Sequence, residues 1–293
     1  MTSVAILGPG GVGGFVAGAF ERAGIPVTVV AREDTAALIA RDGIRVESVR
    51  LGDTWTARPR AVSRLEEPAD YLVVAPKYTT LAESLGRIAA EPGMVVPMLN
   101  GLDHLAVLRE RFGDDRVAAA SIRIESDRPE PGHIVQTSPF LRVDMTPPAA
   151  AFADLLERAE IPARVLDSEA QVMWGKLVRL NALALTTSAT DRLLGFIRTD
   201  PEWRAKLEAC AEEASAVARA EGADVTAAAT MAELDDAHET LGSSMQRDIA
   251  AGREPELDAI PGSVLRAAAR HGIECPTIEG LMRTVADRLP ALR

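Results

Sequence analysis

Residues 4–13, Val-Ala-Ile-Leu-Gly-Pro-Gly-Gly-Val-Gly, place a short apolar run directly before three spaced glycines. The Gly-x-Gly-x-x-Gly spacing is typical of a strand-to-helix turn whose backbone approaches a pyrophosphate. Apolar residues then recur at helical spacing, and a second apolar run follows at residues 25–30. A helix that begins here points backbone N–H groups at bound phosphates. The context predicts a dinucleotide-binding unit, and the expected cofactor contacts are Gly8, Pro9, Gly10, Gly11, Val12 and Gly13.

The residue at the end of the second apolar run indicates which dinucleotide is bound. Sites that prefer NAD place Asp or Glu there, about 20 residues past the glycines, to hold the ribose 2′-hydroxyl. This chain has Arg32 at that point. A guanidinium binds a 2′-phosphate through charge-assisted hydrogen bonds, so we expect NADP(H). The alternative is that Arg32 is a solvated surface charge, since Glu33 and Asp34 follow it.

The composition bounds the class of protein. A chain of 293 residues with 47% hydrophobic and 26% charged residues is long enough for two globular domains. A net charge of −11 argues against nucleic acid or a membrane surface as a partner, because both are anionic. No apolar stretch has the length of a membrane span, and the first strand begins without a basic leader. Cys210 and Cys275 do not have metal-ligand spacing, so we expect a cytoplasmic protein without a metal ion.

The pattern changes once along the chain. Residues 1–167 alternate short β-rich runs with helical patterns, as a parallel sheet requires, and residues 133–136 and 140–143 suggest an antiparallel pair. Residues 168–293 show only helical periodicity, interrupted by caps and prolines. We therefore predict an α/β domain over residues 1–167 and an all-helical domain over residues 168–293. The helices expected in the second domain lie near 168–189, from 201 onward, and near 226–239, 242–251, 259–271 and 277–288.

Four residues are candidates for chemistry. Lys77 and Asn100 each follow a predicted strand, and ligands of open α/β sheets bind at the carboxyl ends of strands. Lys176 lies early in the first helix of the second domain and is one of only three lysines among 32 Lys and Arg residues. Glu256 precedes a further helix. The alternatives are solvated loop residues for Lys77 and Asn100, a surface lysine for Lys176 and a first-turn acid for Glu256.

Taken in order, these segments resemble the ketopantoate reductase family, the 2-dehydropantoate 2-reductases and their relatives. The matching segments are Gly8 to Gly13 with Arg32, Val74-Ala-Pro-Lys77, Leu99-Asn100-Gly101, Trp174-Gly-Lys176-Leu177, Ser243-Ser-Met-x-x-Asp248 and Gly252-Arg-x-x-Glu256-x-Asp258-x-Ile260-x-Gly262. The last segment is the most specific, and together they cover nearly the whole chain. The resemblance implies a Rossmann domain followed by an all-helical domain like that of 6-phosphogluconate dehydrogenase. It also implies NADPH-dependent reduction of a 2-keto acid in the cleft between them, which in pantothenate biosynthesis converts 2-dehydropantoate to (R)-pantoate.

The resemblance implies a role for each matching side chain. Lys176 would stabilise the negative charge that develops on the keto oxygen and would donate the proton. Asn100 would orient the nicotinamide ribose and the substrate, and Glu256 would accept a hydrogen bond from the cofactor ribose or the substrate hydroxyl. Lys77 would assist cofactor binding, and Ser244 would bind the substrate carboxylate.

The chain departs from the family pattern at the substrate. Members that reduce ketopantoate carry asparagines four and eight residues after the catalytic lysine, where this chain has Leu180 and Ala184, and its asparagine is Asn181. The resemblance thus implies substrate contacts from Leu180, Asn181 and Ala184 besides Lys176 and Ser244. On a helix, Leu180 lies about 40° and Asn181 about 140° around the axis from Lys176. A buried hydroxyl without a partner costs about 1–3 kcal/mol, so we expect a keto substrate with a more apolar tail. If Asn181 instead faces the cleft, ketopantoate is favoured.

Two alternative functions remain. A β-hydroxyacid dehydrogenase also joins a Rossmann domain to a helical one, although the pattern from Gly252 to Gly262 speaks against it. A non-catalytic NADPH-sensing protein would use the same fold, with Lys176 and Glu256 as ordinary surface residues. Helical second domains of this kind often pair, so a homodimer is an expected assembly.

Overall fold

The computed structural model describes residues 2–289. Within them the chain forms two compact units. The first comprises residues 2–99 and 104–172, and the second comprises residues 100–103 and 173–289. The short segment Asn100–Asp103 therefore belongs to the second unit although its chain neighbours belong to the first. The predicted domain boundary after residue 167 stays a prediction.

All strands among the described residues lie in the first unit. In chain order they are β1 Val4–Leu7, β2 Val27–Val30, β3 Ile44–Ser48, β4 Asp53–Ala57, β5 Arg60–Val62, β6 Tyr71–Val74, β7 Met94–Pro97, β8 Ala120–Arg123, β9 Ser126–Glu130, β10 His133–Gln136, β11 Arg142–Met145 and β12 Ala163–Val165. The helices of this unit are α1 Gly11–Arg22, α2 Glu33–Asp42, α3 Leu81–Leu85, α4 His104–Phe112 and α5 Ala150–Arg158.

A five-stranded parallel sheet forms the centre of the first unit. Its order is β5-β2-β1-β6-β7, and every neighbouring pair is parallel. All four residues of β1 are buried, as expected for a strand covered on both faces. The chain passes from β1 to its neighbour β2 on one side, and β6 is the neighbour of β1 on the other side. This arrangement makes the carboxyl end of β1 the point where open α/β sheets bind ligands.

Two smaller sheets correct one of the predicted pairings. One sheet has the order β4-β3-β10-β9 and the other has the order β12-β11-β8. The predicted antiparallel pair of residues 133–136 and 140–143 is wrong, because β10 pairs with β9 and β3, whereas β11 pairs with β8 and β12. Two short apolar runs that follow each other do not specify their partners, and here each run is completed by strands elsewhere in the chain. The helix α2 was not predicted, although acidic residues in its first turn and Gly43 after its end are ordinary helix signals.

Within the described residues, the regular elements of the second unit are all helices. They are α6 Glu169–Thr190, whose first four residues belong to the first unit, α7 Leu194–Thr199, α8 Pro201–Ala220, α9 Ala227–Asp236, α10 Ser244–Ala250, α11 Ser263–His271 and α12 Pro276–Arg288, and a π-helical turn Asp258–Gly262 leads into α11. Asp200 caps α8 by accepting hydrogen bonds from the backbone of Glu202 and Trp203, with Pro201 at the first helical position. All the predicted helices are present: α6 and α12 agree with the prediction to within one residue at each end, whereas α9, α10 and α11 are shorter than predicted. The helix α7 was not predicted.

Both cysteines are buried in the second unit. Cys210 and Cys275 are free thiols with almost no exposed surface. Burial raises the pKa of Cys275 to about 11, and it also raises the pKa of Cys210. Both therefore behave as small core residues.

None of the helices between residues 2 and 289 is both long and apolar enough to cross a membrane.

Candidate functional site

The glycine turn after β1 is tightly packed where the motif requires it. Gly8 has a φ of +87°, and a Cβ there would lie 2.8 Å from the backbone nitrogen of Pro76. A Cβ on Gly13 would collide with the carbonyl group of Gly8. Side chains are therefore excluded at both positions, by backbone conformation at Gly8 and by close helix-to-turn packing at Gly13.

The same turn is open where a phosphate would bind. A Cβ on Gly10 would have no described atom within 4 Å, and within the described residues no side chain caps the N-terminus of α1. The first turn of α1 also contains no acidic residue. Uncapped backbone N–H groups and the positive end of the helix dipole favour an anion at this place. The residues present therefore fit the pyrophosphate of a dinucleotide.

A serine that the sequence analysis missed holds the glycine turn. Ser126, at the start of β9, donates a hydrogen bond of 2.7 Å from Oγ to the carbonyl oxygen of Gly11. A Cβ on Gly11 would collide with the backbone of Ser126. Gly11 therefore needs to be glycine because β9 packs directly against it. Nothing near Ser126 in the sequence signals this contact, which joins residues 115 positions apart.

Two cationic side chains follow the strands on either side of β1. Arg32 comes directly after β2 and caps the start of α2 with its backbone, and its side chain is exposed. In the described part of the chain, the side chain of Arg32 makes no hydrogen bond or ion pair. Lys77 follows β6 and is partly buried, beside the Ala75-Pro76 segment that packs on Gly8. An unpaired guanidinium at the end of β2 suits a 2′-phosphate, which supports NADP(H) over NAD.

In the second unit, a chain of hydrogen bonds joins three of the predicted residues. The Lys176 Nζ donates to the Asn100 Oδ1 at 2.7 Å, and the Asn100 Nδ2 donates to the Glu256 Oε2 at 2.9 Å. Lys176 and Asn100 are partly exposed, whereas Glu256 is buried. The structure thus brings together side chains that are 76 and 156 residues apart.

The chemistry of the three groups fixes which way the Asn100 amide points. A lysine ammonium can only donate, and a carboxylate can only accept. The amide oxygen must therefore face Lys176, and the amide nitrogen must face Glu256. The amide of Asn100 can serve both neighbours because it carries an acceptor oxygen and a donor nitrogen in one planar group. Glu256 and Lys176 are therefore connected through the two ends of the Asn100 amide.

The position of Asn100 is fixed by the backbone of Gly101 and by the turn on which Gly101 packs. Gly101 has a φ of +83°, and a Cβ there would lie 2.9 Å from the carbonyl carbon of Ala259 and still closer to its oxygen. Ala259 belongs to the π-helical turn that begins two residues after Glu256. The backbone beside Asn100 therefore packs directly on the turn beside Glu256, which only glycine permits.

The residues after Lys176 on α6 differ in their exposure. Leu180, one turn later, is partly exposed, whereas Asn181 and Ala184 have no exposed surface. Neither the Oδ1 nor the Nδ2 of Asn181 has a hydrogen-bond partner within residues 2–289. Of these three predicted substrate residues, only Leu180 presents surface that a ligand could contact without rearrangement of α6. The assignment of Asn181 and Ala184 to the substrate stays a prediction that their burial does not favour.

Ser244 is partly exposed at the first position of α10. The preceding Ser243 caps this helix by accepting a hydrogen bond from the backbone of Gln246. The Ser243 hydroxyl also lies 2.9 Å from the hydroxyl of Thr187 on α6, which in turn donates to the carbonyl of Leu183. These buried contacts fix the start of α10, so the position of Ser244 is coupled to the helix that carries Lys176.

Comparison with known proteins gives matches over nearly the whole chain. The model of the family described as ketopantoate reductase PanE/ApbA matches residues 4–145, and that of its C-terminal part matches residues 170–288. The 2-dehydropantoate 2-reductase of Caulobacter vibrioides is 30% identical over 286 residues, which cover 94% of this chain and 95% of that protein.

Solved structures give the same result for the fold. A PanE/ApbA family ketopantoate reductase from Ralstonia eutropha has a TM-score of 0.88 at 25% identity, and the match covers 98% of both chains. D-mandelate dehydrogenase, solved with NADH and anilino(oxo)acetate, also has a TM-score of 0.88 with 98% coverage of both chains. At 18% identity, that likeness concerns the fold alone. The predicted fold class, an α/β Rossmann domain followed by a helical domain, is confirmed.

Proposed function

The chain belongs to the ketopantoate reductase family, and we propose that it reduces a 2-keto acid to a 2-hydroxy acid with Lys176 as the proton donor. Membership confirms the resemblance inferred from the sequence motifs and makes the protein an oxidoreductase. NADP(H) is the cofactor of the family, as expected from Arg32. The observation that carries the proposal is the hydrogen-bonded chain from Lys176 through Asn100 to Glu256.

The glycine turn after β1 and Arg32 would hold NADPH, which when bound would supply a hydride to the keto carbon. The chain's own residues then stabilise the negative charge on the keto oxygen and protonate it. As the carbonyl π electrons move to oxygen, the Lys176 ammonium stabilises the negative charge and then transfers a proton, which completes the hydroxyl group. Asn100 accepts a hydrogen bond from the Lys176 ammonium through its Oδ1, which holds the ammonium in a defined direction. Glu256 keeps the amide in the orientation that this requires.

For the substrate, we propose a keto acid whose side chain is less polar than that of ketopantoate. Support comes from Leu180, which is partly exposed one turn after Lys176 on α6, and from Thr187, whose hydroxyl already contacts Ser243 and the Leu183 carbonyl. Substrate hydroxyls bind where the protein offers an unused polar partner. Ser244 is proposed to bind the substrate carboxylate. The fold also occurs in a dehydrogenase of D-mandelate, an aromatic 2-hydroxy acid.

Loss of Lys176 tests the proposed proton donor. NADPH oxidation is measured by absorbance with a panel of 2-keto acids for the wild type, Lys176→Ala and the matched control Lys206→Ala. Lys206 is a surface lysine that pairs with Glu202 one turn earlier on α8. We expect the Lys176 variant to lose about 10²–10⁴ in kcat, and the Lys206 variant to keep wild-type values. Equal kcat in wild type and Lys176→Ala would refute the assignment.

A matched pair of substrates tests the proposed preference. One is ketopantoate, and the other is the keto acid in which a methyl group replaces its hydroxymethyl group. A site built to bind a hydroxyl rejects the analogue without it by about 10⁴–10⁵ in kcat/KM, whereas an apolar site does not. We expect the methyl compound to be reduced at least as efficiently as ketopantoate. A strong preference for ketopantoate would contradict the proposed apolar substrate and would assign the protein to pantothenate biosynthesis.

The same measurements separate the alternatives. A non-catalytic NADPH-sensing protein would bind NADPH and oxidise none with any keto acid of the panel. A β-hydroxyacid dehydrogenase would act on 3-hydroxy acids in the reverse direction and not on the 2-keto acids. The expected homodimer and the cytoplasmic location stay predictions, and light scattering of the purified protein would count its subunits.

A further inference from the structure

The segment Asn100–Asp103, which carries the amide that contacts Lys176, is fixed at both of its ends. Near the first end, Gly101 packs on the backbone of Ala259. At the other end, the Asp103 Oδ2 accepts a hydrogen bond of 2.6 Å from the Arg266 Nη2. Both contacts are with the π-helical turn Asp258–Gly262 or with α11, which follows it. The segment therefore depends on this part of the second unit for its position.

Arg266 is the residue that joins the two sides. Its Nη1 donates to the Asp258 Oδ1 at 2.7 Å, and its Nη2 donates to the Asp258 backbone oxygen at 2.8 Å. Asp258 lies two residues after Glu256, so one guanidinium connects the segment of Asn100 with the turn of Glu256. Hydrogen bonding to Asp103, the largest contribution, together with Asp258, raises the pKa of Arg266, which stays charged throughout the working range of pH.

We propose that Arg266 is a positioning residue for the Lys176 site. By joining Asp103 to Asp258 it sets the separation between Asn100 and Glu256, and thereby the direction in which Asn100 holds the Lys176 ammonium. The inference rests on the proposed function, because a direction for the ammonium matters only if Lys176 donates a proton. It adds a residue whose hydrogen bonds are with Asp103 and Asp258 and not with Lys176 or Glu256.

Two arguments favour positioning over a contribution to stability. Arg266 is partly exposed, with 43% of its side chain accessible, and an exposed ion pair contributes little to the stability of the fold. In contrast, a displacement of about 1 Å in a catalytic group lowers a rate by about a hundredfold. A planar guanidinium can serve both carboxylates in fixed directions, which a lysine ammonium cannot do. The ion pairs of Arg266 therefore add little to the stability of the fold, but they constrain the position of the Asn100–Asp103 segment.

Arg266→Ala is compared with Arg270→Ala to test the kinetic consequence. Arg270 lies one turn later on the same helix, is also exposed, and pairs with Glu221 instead of the Asn100–Asp103 segment. With a keto acid of the panel, we expect a ten- to hundredfold lower kcat for Arg266→Ala, an unchanged dissociation constant for NADPH, and wild-type kinetics for Arg270→Ala. Asp103→Asn keeps an oxygen that can accept from Arg266, so it should retain more activity than Asp103→Ala.

A second readout does not depend on activity. The chain contains only two asparagines, Asn100 and Asn181, so protein labelled with ¹⁵N at asparagine gives two side-chain amide signal pairs in an NMR spectrum. Asn100→Ala assigns the pairs. We expect Arg266→Ala to shift the Asn100 pair and to leave the Asn181 pair in place, and Arg270→Ala to shift neither.

The outcomes are distinct. An Asn100 pair that is unchanged in Arg266→Ala overturns the inference, as does a kcat that falls equally in both arginine variants or in neither. If the wild type reduces no keto acid, the proposed function fails, and the amide spectra alone decide whether Arg266 positions Asn100.

Discussion

Replacement of Gly101 by alanine probes how closely the Lys176 site depends on backbone packing. Gly101 has a φ of +83°, a conformation that costs alanine about 1–2 kcal/mol. The new Cβ would also lie 2.9 Å from the carbonyl carbon of Ala259. Two carbon atoms pack at about 3.5–4.0 Å, so the backbone beside Asn100 has to retreat by about 1 Å. The retreat moves Asn100 away from Glu256, because Ala259 and Glu256 belong to neighbouring turns of the chain.

The size of the effect follows from that displacement. A shift of about 1 Å in a group that orients a proton donor lowers kcat by about a hundredfold, whereas NADPH binding at the glycine turn is not touched. The matched control is Gly272→Ala. Gly272 also lies in the second unit and has a φ of +65°, but a Cβ there would have no described atom within 4 Å. Gly272→Ala therefore has the same backbone conformational cost as Gly101→Ala but no collision of the new Cβ with another backbone segment.

The assay is steady-state NADPH oxidation with a saturating keto acid, combined with urea unfolding of each variant. We expect both variants to lose about 1–2 kcal/mol of unfolding free energy from the backbone conformation, and Gly101→Ala to lose more. Only Gly101→Ala should lose kcat. If Gly101→Ala keeps the wild-type kcat, or if Gly272→Ala loses as much, then the packing of Gly101 on Ala259 does not control the site.

Two further predictions concern charged groups of the first unit. Arg32→Ala should weaken NADPH binding about 10- to 100-fold, since a hydrogen bond to a charged group contributes about 1.5–3 kcal/mol. The binding of NADH, which has no 2′-phosphate, should stay unchanged. Calorimetric titration with both nucleotides measures the two affinities, and an equal loss for both would contradict the prediction. Burial by itself raises the pKa of Asp144, but hydrogen bonds and charges from Arg164 and Arg142 outweigh it and lower the pKa overall. The ionised group therefore stabilises the fold above its ordinary pKa of about 3.9, and this contribution is lost as the pH falls through the lower folded value. Asp144→Asn should thus be less stable than the wild type by roughly 1–3 kcal/mol in urea at neutral pH, and the difference should vanish in acid; a difference that persists there would contradict the assignment.

Most of the fold could be predicted because its signals are local. The turn after β1 needs glycine at Gly8 for a positive φ and at Gly13 for close packing, and both needs are met within ten residues of sequence. Caps such as Asp200 act on the next three residues, so the start of α8 was predicted correctly. Strand pairing was not local. The antiparallel pair assigned to residues 133–136 and 140–143 was wrong because β10 and β11 find their partners in other parts of the chain.

The site divides in the same way. The motifs nominated Lys176, Asn100 and Glu256 one by one, each with an ordinary structural alternative. Ser126 and Arg266 carried no signal at all, since a single serine or arginine in a chain with many arginines has no distinctive spacing. The hydrogen bonds that give these two residues a role join positions 115 and 163 residues apart.

The sequence by itself determined the dinucleotide turn, the cationic end of β2 and the change from α/β to helical structure, because each depends on residues within one or two turns of each other. Only the tertiary structure decided that Asn100 leaves its neighbours to join the second unit, that its amide lies between Lys176 and Glu256, and that Asn181 is buried. The physical reason is that hydrogen-bond direction and burial are set by groups brought together from distant parts of the chain. Residue spacing along the sequence contains neither quantity.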